Sequence, residues 1–205
     1  MVLQSENNVA IESFISLVDP RRGLMAIGYF LIKINGVSYG VKEKDATALA
    51  NSYDAVVSRL EMRGKHIAPA DWLILPSLSL AQILHESTWG YMSREQFAQE
   101  FNISQDKSKE LIYKNNLMWA PDGDAAFDDG SRIYQFDIDD ETVRLIGFNA
   151  THDCKVDIST LTDVTMNAND FYSLLKEWAE SFYTEWKRRS ASTNSKSGED
   201  VCKKL

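Results

Sequence analysis

An Asn-Gly pair at positions 35 and 36 separates two apolar runs, and it constrains the fold more than any other feature of the chain. Both residues tolerate the positive φ angles of a type I′ turn, whose twist suits two antiparallel strands. Leu24 to Ile34 therefore reads as a buried strand, and Val37-Ser38-Tyr39 returns beside it. Val9 to Val18 supplies an opening strand. Ser131 to Phe136 and Thr142 to Phe148, rich in β-branched and aromatic residues, flank Asp137-Ile138-Asp139-Asp140-Glu141 and predict a second hairpin with an acidic tip. Asp163 to Met166 adds a short strand.

Helices are interspersed. Leu49, Tyr53, Val56, Val57 and Leu60 recur at helical spacing within Ala46 to Arg63, with Asp45 placed to cap the start and Gly64 the end. Trp72 to Leu75 runs into Pro76, Leu78 to Glu86 reads as a short helix, and Ser93 with Gln96 has capping-box spacing ahead of Phe97 and Phe101. Gln105 to Tyr113 predicts another helix. Phe171, Leu175, Trp178, Phe182 and Trp186 form one face of a long final helix, for which Asn169 is the expected cap. After Arg189 the chain turns polar, so residues 1–189 are read as one domain and 190–205 as a mobile tail. Hairpins in place of regular β-α-β alternation predict an α+β fold: an antiparallel sheet built from hairpins, with amphipathic helices packed on one face.

Composition narrows the function. The 205 residues are 44% hydrophobic and 25% charged, as in ordinary globular proteins. The net charge of −8 repels phosphate backbones, which disfavours direct nucleic-acid binding and favours a basic protein or a cation. The longest apolar stretch, Leu24 to Ile32, is about half the roughly 20 residues that a bilayer span needs. Cys154 and Cys202 form no C-x-x-C pair, and the first residues are polar and acidic. These features predict a cytosolic protein with no membrane role.

Motifs for covalent chemistry lack their context. Gly36-Val37-Ser38-Tyr39-Gly40 matches the G-x-S-x-G nucleophile pattern, yet Ser38 follows a hairpin turn, where the pattern needs a strand-to-helix elbow. His66, His85 and His152 have no metal-ligand spacing, and His85-Glu86 lacks the second histidine of H-E-x-x-H. His152-Asp153-Cys154 lies in a polar loop. Asp122-Gly123-Asp124 opens like a calcium loop, but Ala126 and Ile133 occupy ligand positions. No metal or cofactor is expected.

Charge is concentrated where the chemistry is absent. Between Asp122 and Glu141 stand eight acidic residues and one basic residue, Arg132, a local net of −7. Such a run is either a solvated face or a docking field for a cationic partner. Trp89, Tyr91, Met92, Met118 and Trp119 lie in poorly periodic segments, as core or as interface anchors.

The last third carries a resemblance. Phe127-Asp128-Asp129-Gly130-Ser131, Gln135-Phe136-Asp137, Val143 to Phe148, Thr160 to Val164, Asp170 to Leu175, Trp178, Phe182 and Glu185-Trp186 together resemble immunity family forty-two. These are small cytosolic immunity proteins of bacterial polymorphic-toxin systems, which include contact-dependent growth inhibition. The resemblance extends to Gly28 to Leu60 and leaves Ile67 to Met118 as an elaboration. It implies a non-catalytic protein that binds one cognate toxin C-terminal domain and blocks it, and the negative charge favours a basic target such as a nuclease. The expected contacts are Asp122, Asp124, Asp139, Asp140 and Glu141 by charge, with Trp89, Tyr91 and Trp119 as anchors. The alternatives are a generic acidic interaction module and a hydrolase or thiol enzyme using Ser38 or Cys154.

Overall fold

Two antiparallel sheets carry the fold. The computed structural model describes residues 1–4, 8–19, 24–119 and 125–202, with side chains as far as residue 192. The first sheet joins β1 (Val2–Gln4), β2 (Val9–Val18), β3 (Ala26–Ile34) and β4 (Val37–Tyr39) in that order, and β5 (Thr47–Ala48) also pairs with β3. The second joins β6 (Ser131–Asp137), β7 (Thr142–Asn149) and β8 (Thr162–Asn167). The helices are α1 (Leu49–Glu61), α2 (Ala70–Leu73), α3 (Ser77–Thr88), α4 (Arg94–Phe101), α5 (Gln105–Lys114) and α6 (Ala168–Cys202).

The predicted turn forms as read. Asn35 and Gly36 both take positive φ, 51° and 83°, and Ile34 pairs with Val37. At α4 the capping box is complete, with Ser93 Oγ accepting from the Gln96 amide and Gln96 Oε1 accepting from the Ser93 amide. Two expected caps are corrected. Thr47 and Ala48 are extended and paired to Gly28 and Ile27, so strand pairing leads the chain into α1 and Asp45 does not cap it. At α6 the cap is Asn167, whose Oδ1 accepts from the amides of Asn169 and Asp170. The α6 backbone continues to Cys202, so the polar segment after Arg189 begins as an extension of this helix.

The antiparallel α+β class holds, with deeper layering than one sheet covered on one face. Side chains alternate across a strand, and both faces of the second sheet are buried. Ile133, Val143, Leu145 and Met166 enter one hydrophobic cluster, while Tyr134, Phe136, Ile146 and Phe148 enter another. The first cluster is shared with β2, β3, α1 and α6. Within it the Trp178 ring meets Phe30 edge-on at 4.8 Å, and its Nε1–H donates to Ser13 Oγ at 3.0 Å. The second cluster is filled from α2 to α5 by Trp72, Leu80, Leu84, Phe97 and Ile112. Double burial explains why apolar residues fall at both alternating sets of positions in β6 and β7, alongside the buried polar Gln135, Asp137 and Arg144.

The sheets meet at Tyr39 and Gly147. The Tyr39 hydroxyl donates to the Thr160 carbonyl at 2.6 Å and lies 2.7 Å from Thr162 Oγ1. Burial pushes this phenol up to about 12. Its ring occupies the space a side chain at position 147 would need, since a Cβ there would stand 2.6 Å from ring carbons.

Candidate functional site

One face of α1 buries Leu49, Ser52, Val56 and Arg59. Arg59 is only 1% exposed, and its guanidinium donates three hydrogen bonds. Nη1 donates to the Asn116 carbonyl and Gln135 Oε1, both at 3.1 Å, and Nη2 donates to the Met118 carbonyl at 2.6 Å. The group also lies 4.2 Å from the Trp119 ring centroid. Burial pushes its pKa down to about 9, so it remains charged at neutral pH.

From Arg59 the polar network runs to the second hairpin. Gln135 Nε2 donates to the Tyr172 hydroxyl at 2.8 Å, and that hydroxyl donates to the Asp137 carboxylate at 2.8 Å. Asp137 also accepts from the backbone amides of Gly64, at 2.7 Å, and His66. Burial, then the hydrogen bond to Asp137, pushes the Tyr172 phenol up. Asp137 is thus a buried acceptor that fixes the end of β6 to the turn after α1 and to the start of α6.

Above this anchor the hairpin tip is exposed. Asp139, Asp140 and Glu141 all face solvent. Asp139 Oδ1 accepts from the Glu141 amide at 2.9 Å, a contact that holds its carboxyl below the usual aspartate range. The Glu141 carbonyl accepts from the Ala168 amide at 2.7 Å, which ties the tip to α6. A cavity of about 300 Å³ beside it is lined by Arg63, Asp137, Asp139, Asp140 and Tyr172. The Arg63 guanidinium caps one side, 5.0 Å from the Tyr172 centroid and bonded to Asn169 Oδ1.

The acidic run does not form one patch. Asp128 and Asp129 precede β6, and Asp139 to Glu141 follow it, so the two groups stand about 20 Å apart at ~3.4 Å per strand residue. Asp137 is buried between them. Asp122 and Asp124 lie outside the described residues.

Of the expected anchors, Tyr91 is 85% exposed, whereas Trp119 is 4% exposed and belongs to the core beneath Arg59. Trp119 therefore offers no surface to a partner. Its amide donates to the Ile133 carbonyl, an edge pairing that draws the ring inward. Trp89 is half-buried, with the Arg132 guanidinium 4.4 Å from its ring centroid. Ser38 is exposed on β4 opposite Lys33, on a strand and away from any helix-opening turn. At Cys154, His85 Nε2–H donates to the backbone carbonyl at 2.7 Å and leaves the thiol untouched. Among the described residues there is no group of three His, Cys, Asp or Glu arranged to hold a metal, and no helix long and apolar enough to cross a membrane.

Two imidazoles sit inside the structure. His66 Nδ1 faces the Asn115 and Asn116 carbonyls, so it carries the proton. Burial lowers the pKa of both His66 and His85 from 6.5, with Arg59 reinforcing the shift at His66. A neutral form favoured by folding contributes stability above pH 6.5 and loses it as pH falls toward the lowered values. Melting temperature should therefore drop between pH 7.5 and pH 5, and a flat or rising profile would contradict the neutral assignment.

Gln135 and Tyr172 lie within the segments that carry the family resemblance, whereas no sequence motif marks Arg59. The usable signal for Arg59 was its register with Leu49, Ser52 and Val56, hidden because only apolar residues mark a helical stripe.

The family model described as Immunity protein 42 matches residues 1–181. This span includes Ile67 to Met118, so the helices that cover the second sheet, expected as an elaboration, lie inside the bounds of the family match. No curated protein and no solved structure matches the chain.

Proposed function

Because the chain belongs to the Immunity protein 42 family, we propose that it binds one cognate bacterial toxin domain in the cytosol and neutralises it by a tight non-covalent complex. The protein acts as a complementary surface and turns over no substrate. The observation that carries the reading is the second hairpin's end, where Asp139, Asp140 and Glu141 are exposed on a backbone fixed from below. A carboxylate group already held in place binds without first being ordered, which removes part of the entropic cost of association. A negative field at that point also raises the capture rate of a basic partner.

The target that fits best is a nuclease domain. Its substrate groove is basic, and fixed carboxylates occupy such a groove as phosphate mimics. Suppressing a toxin inside the cell requires nanomolar affinity or better, about −12 kcal/mol. A standard interface of ~1,600 Å² reaches that when a few contacts are well packed.

Co-expression tests the reading. The C-terminal domain encoded by the neighbouring toxin gene should arrest growth alone and be tolerated with this protein present. Reversing Asp139, Asp140 and Glu141 to lysine should weaken the complex at least a hundredfold at low salt and reduce its salt dependence. Unchanged affinity in that triple variant would remove the hairpin end from the interface.

A further inference from the structure

On the helical side of the molecule, a second feature deepens this reading and rests on it. Between the end of α3, α4 and the turn after β7 lies a cleft of about 480 Å³. We propose that it receives an arginine side chain of the toxin partner, stacked on Tyr91 and held by the carboxylates around it.

The argument begins with Tyr91. At 85% exposure its ring gains almost nothing from the fold. The Cys154 thiol donates to its hydroxyl at 3.7 Å, which sets the ring at the wall of the cleft. A tyrosine held so exposed presents apolar area with few rotatable bonds, the property that makes this residue frequent among dominant interface contacts. Met92 extends the apolar wall.

Charge selects the occupant. Glu86, Glu100 and Asp153 line the cleft against a single ammonium, Lys155. An arginine satisfies both kinds of wall at once, since its planar guanidinium stacks on an aromatic face and offers forked donors to carboxylates. A lysine ammonium also sits over tyrosine rings in this fold, as Lys187 does over Tyr183, but it lacks the planar fork that engages carboxylates in pairs. The fold uses the same pairing internally, with guanidinium groups over Trp119 and Trp89. The cleft shares no residue with the acidic hairpin end, so the two are separable by mutation.

The test is titration of the purified toxin domain encoded beside this chain against four proteins: wild type, Tyr91→Ala, Tyr91→Phe, and the double variant Glu100→Gln with Asp153→Asn. These side chains are exposed, so a melting temperature equal to wild type verifies folding. Tyr91→Ala and the double amide variant should each raise Kd at least fivefold, Tyr91→Phe should stay within that limit, and the double variant should also show a shallower salt dependence. Smaller changes in both disrupted variants overturn the proposal. A loss in Tyr91→Ala with none in the double amide variant points to an apolar occupant and overturns the arginine assignment. If wild type itself fails to bind the domain, the toxin reading falls, and the assignment of this cleft falls with it.

Discussion

Replacing Arg59 by leucine is expected to lower the free energy of unfolding by about 3 kcal/mol or more, because three buried acceptors lose their donor and an unsatisfied buried group costs about 1–3 kcal/mol. Against the roughly 5–15 kcal/mol that stabilise a typical domain, such a loss can unfold the protein at ordinary temperatures. The magnitude follows from what remains behind. Carbonyls of Asn116 and Met118 and the Gln135 side chain lose their donor, and the Trp119 ring loses the cation above it. The Asp137 carboxylate then loses the buried guanidinium linked to it through Gln135 and Tyr172, and is left with the Gly64 and His66 amides and the Tyr172 hydroxyl as donors. Urea titration measures the loss. Adding Asp137→Leu to the variant should cost less than the sum of the two single changes, because the stranded carboxylate is then gone. Full additivity would show that the two charges do not compensate one another across Gln135.

The second large effect is expected at Gly147. This glycine is required by close approach and not by its backbone angles, since the Tyr39 ring lies where its side chain would be. A methyl group there pushes the ring away, and with it the hydroxyl that bonds Thr160 and Thr162. Overpacking a dense interior costs about 1–3 kcal/mol, and losing a buried hydrogen bond adds about 1 kcal/mol. Gly147→Ala should therefore destabilise by about 3 kcal/mol in chemical denaturation, with Tyr39→Phe losing only the hydroxyl's share. In a Tyr39→Leu background the same alanine should cost less than half as much. Equal cost in both backgrounds would place the clash elsewhere.

What the sequence discloses is mostly local. The Asn35-Gly36 turn, the Ser93-Gln96 capping box and the α6 stripe each depend on neighbours a few residues away, and each forms as read. The cap expected at Asp45 gives way to a distant interaction: Thr47 and Ala48 pair with a strand some twenty residues earlier. The acidic run shows the same limit at the candidate site. Counted along the chain it is a single block, but strand geometry sends its described members to opposite ends of β6 and buries Asp137 among donors from the turn after α1 and from α6. Trp119 and Tyr91 were indistinguishable as isolated aromatics. One is drawn beneath Arg59 by an edge pairing to β6, and the other is left at a cleft wall. Exposure is a property of the packed layers, so composition could not separate them.

The second sheet has a consequence for how the molecule opens. Its central strand β7 is bonded along both edges, to β6 and β8, and covered on both faces by separate hydrophobic clusters. Lifting the α2–α5 layer alone exposes one side of it, and loosening α6 alone exposes the other. Neither partial excursion frees its amides from their partners. Solvent deuterium reaches the middle of β7 only when both halves of the interior come apart together, which makes Leu145 and Ile146 the reporters of global unfolding.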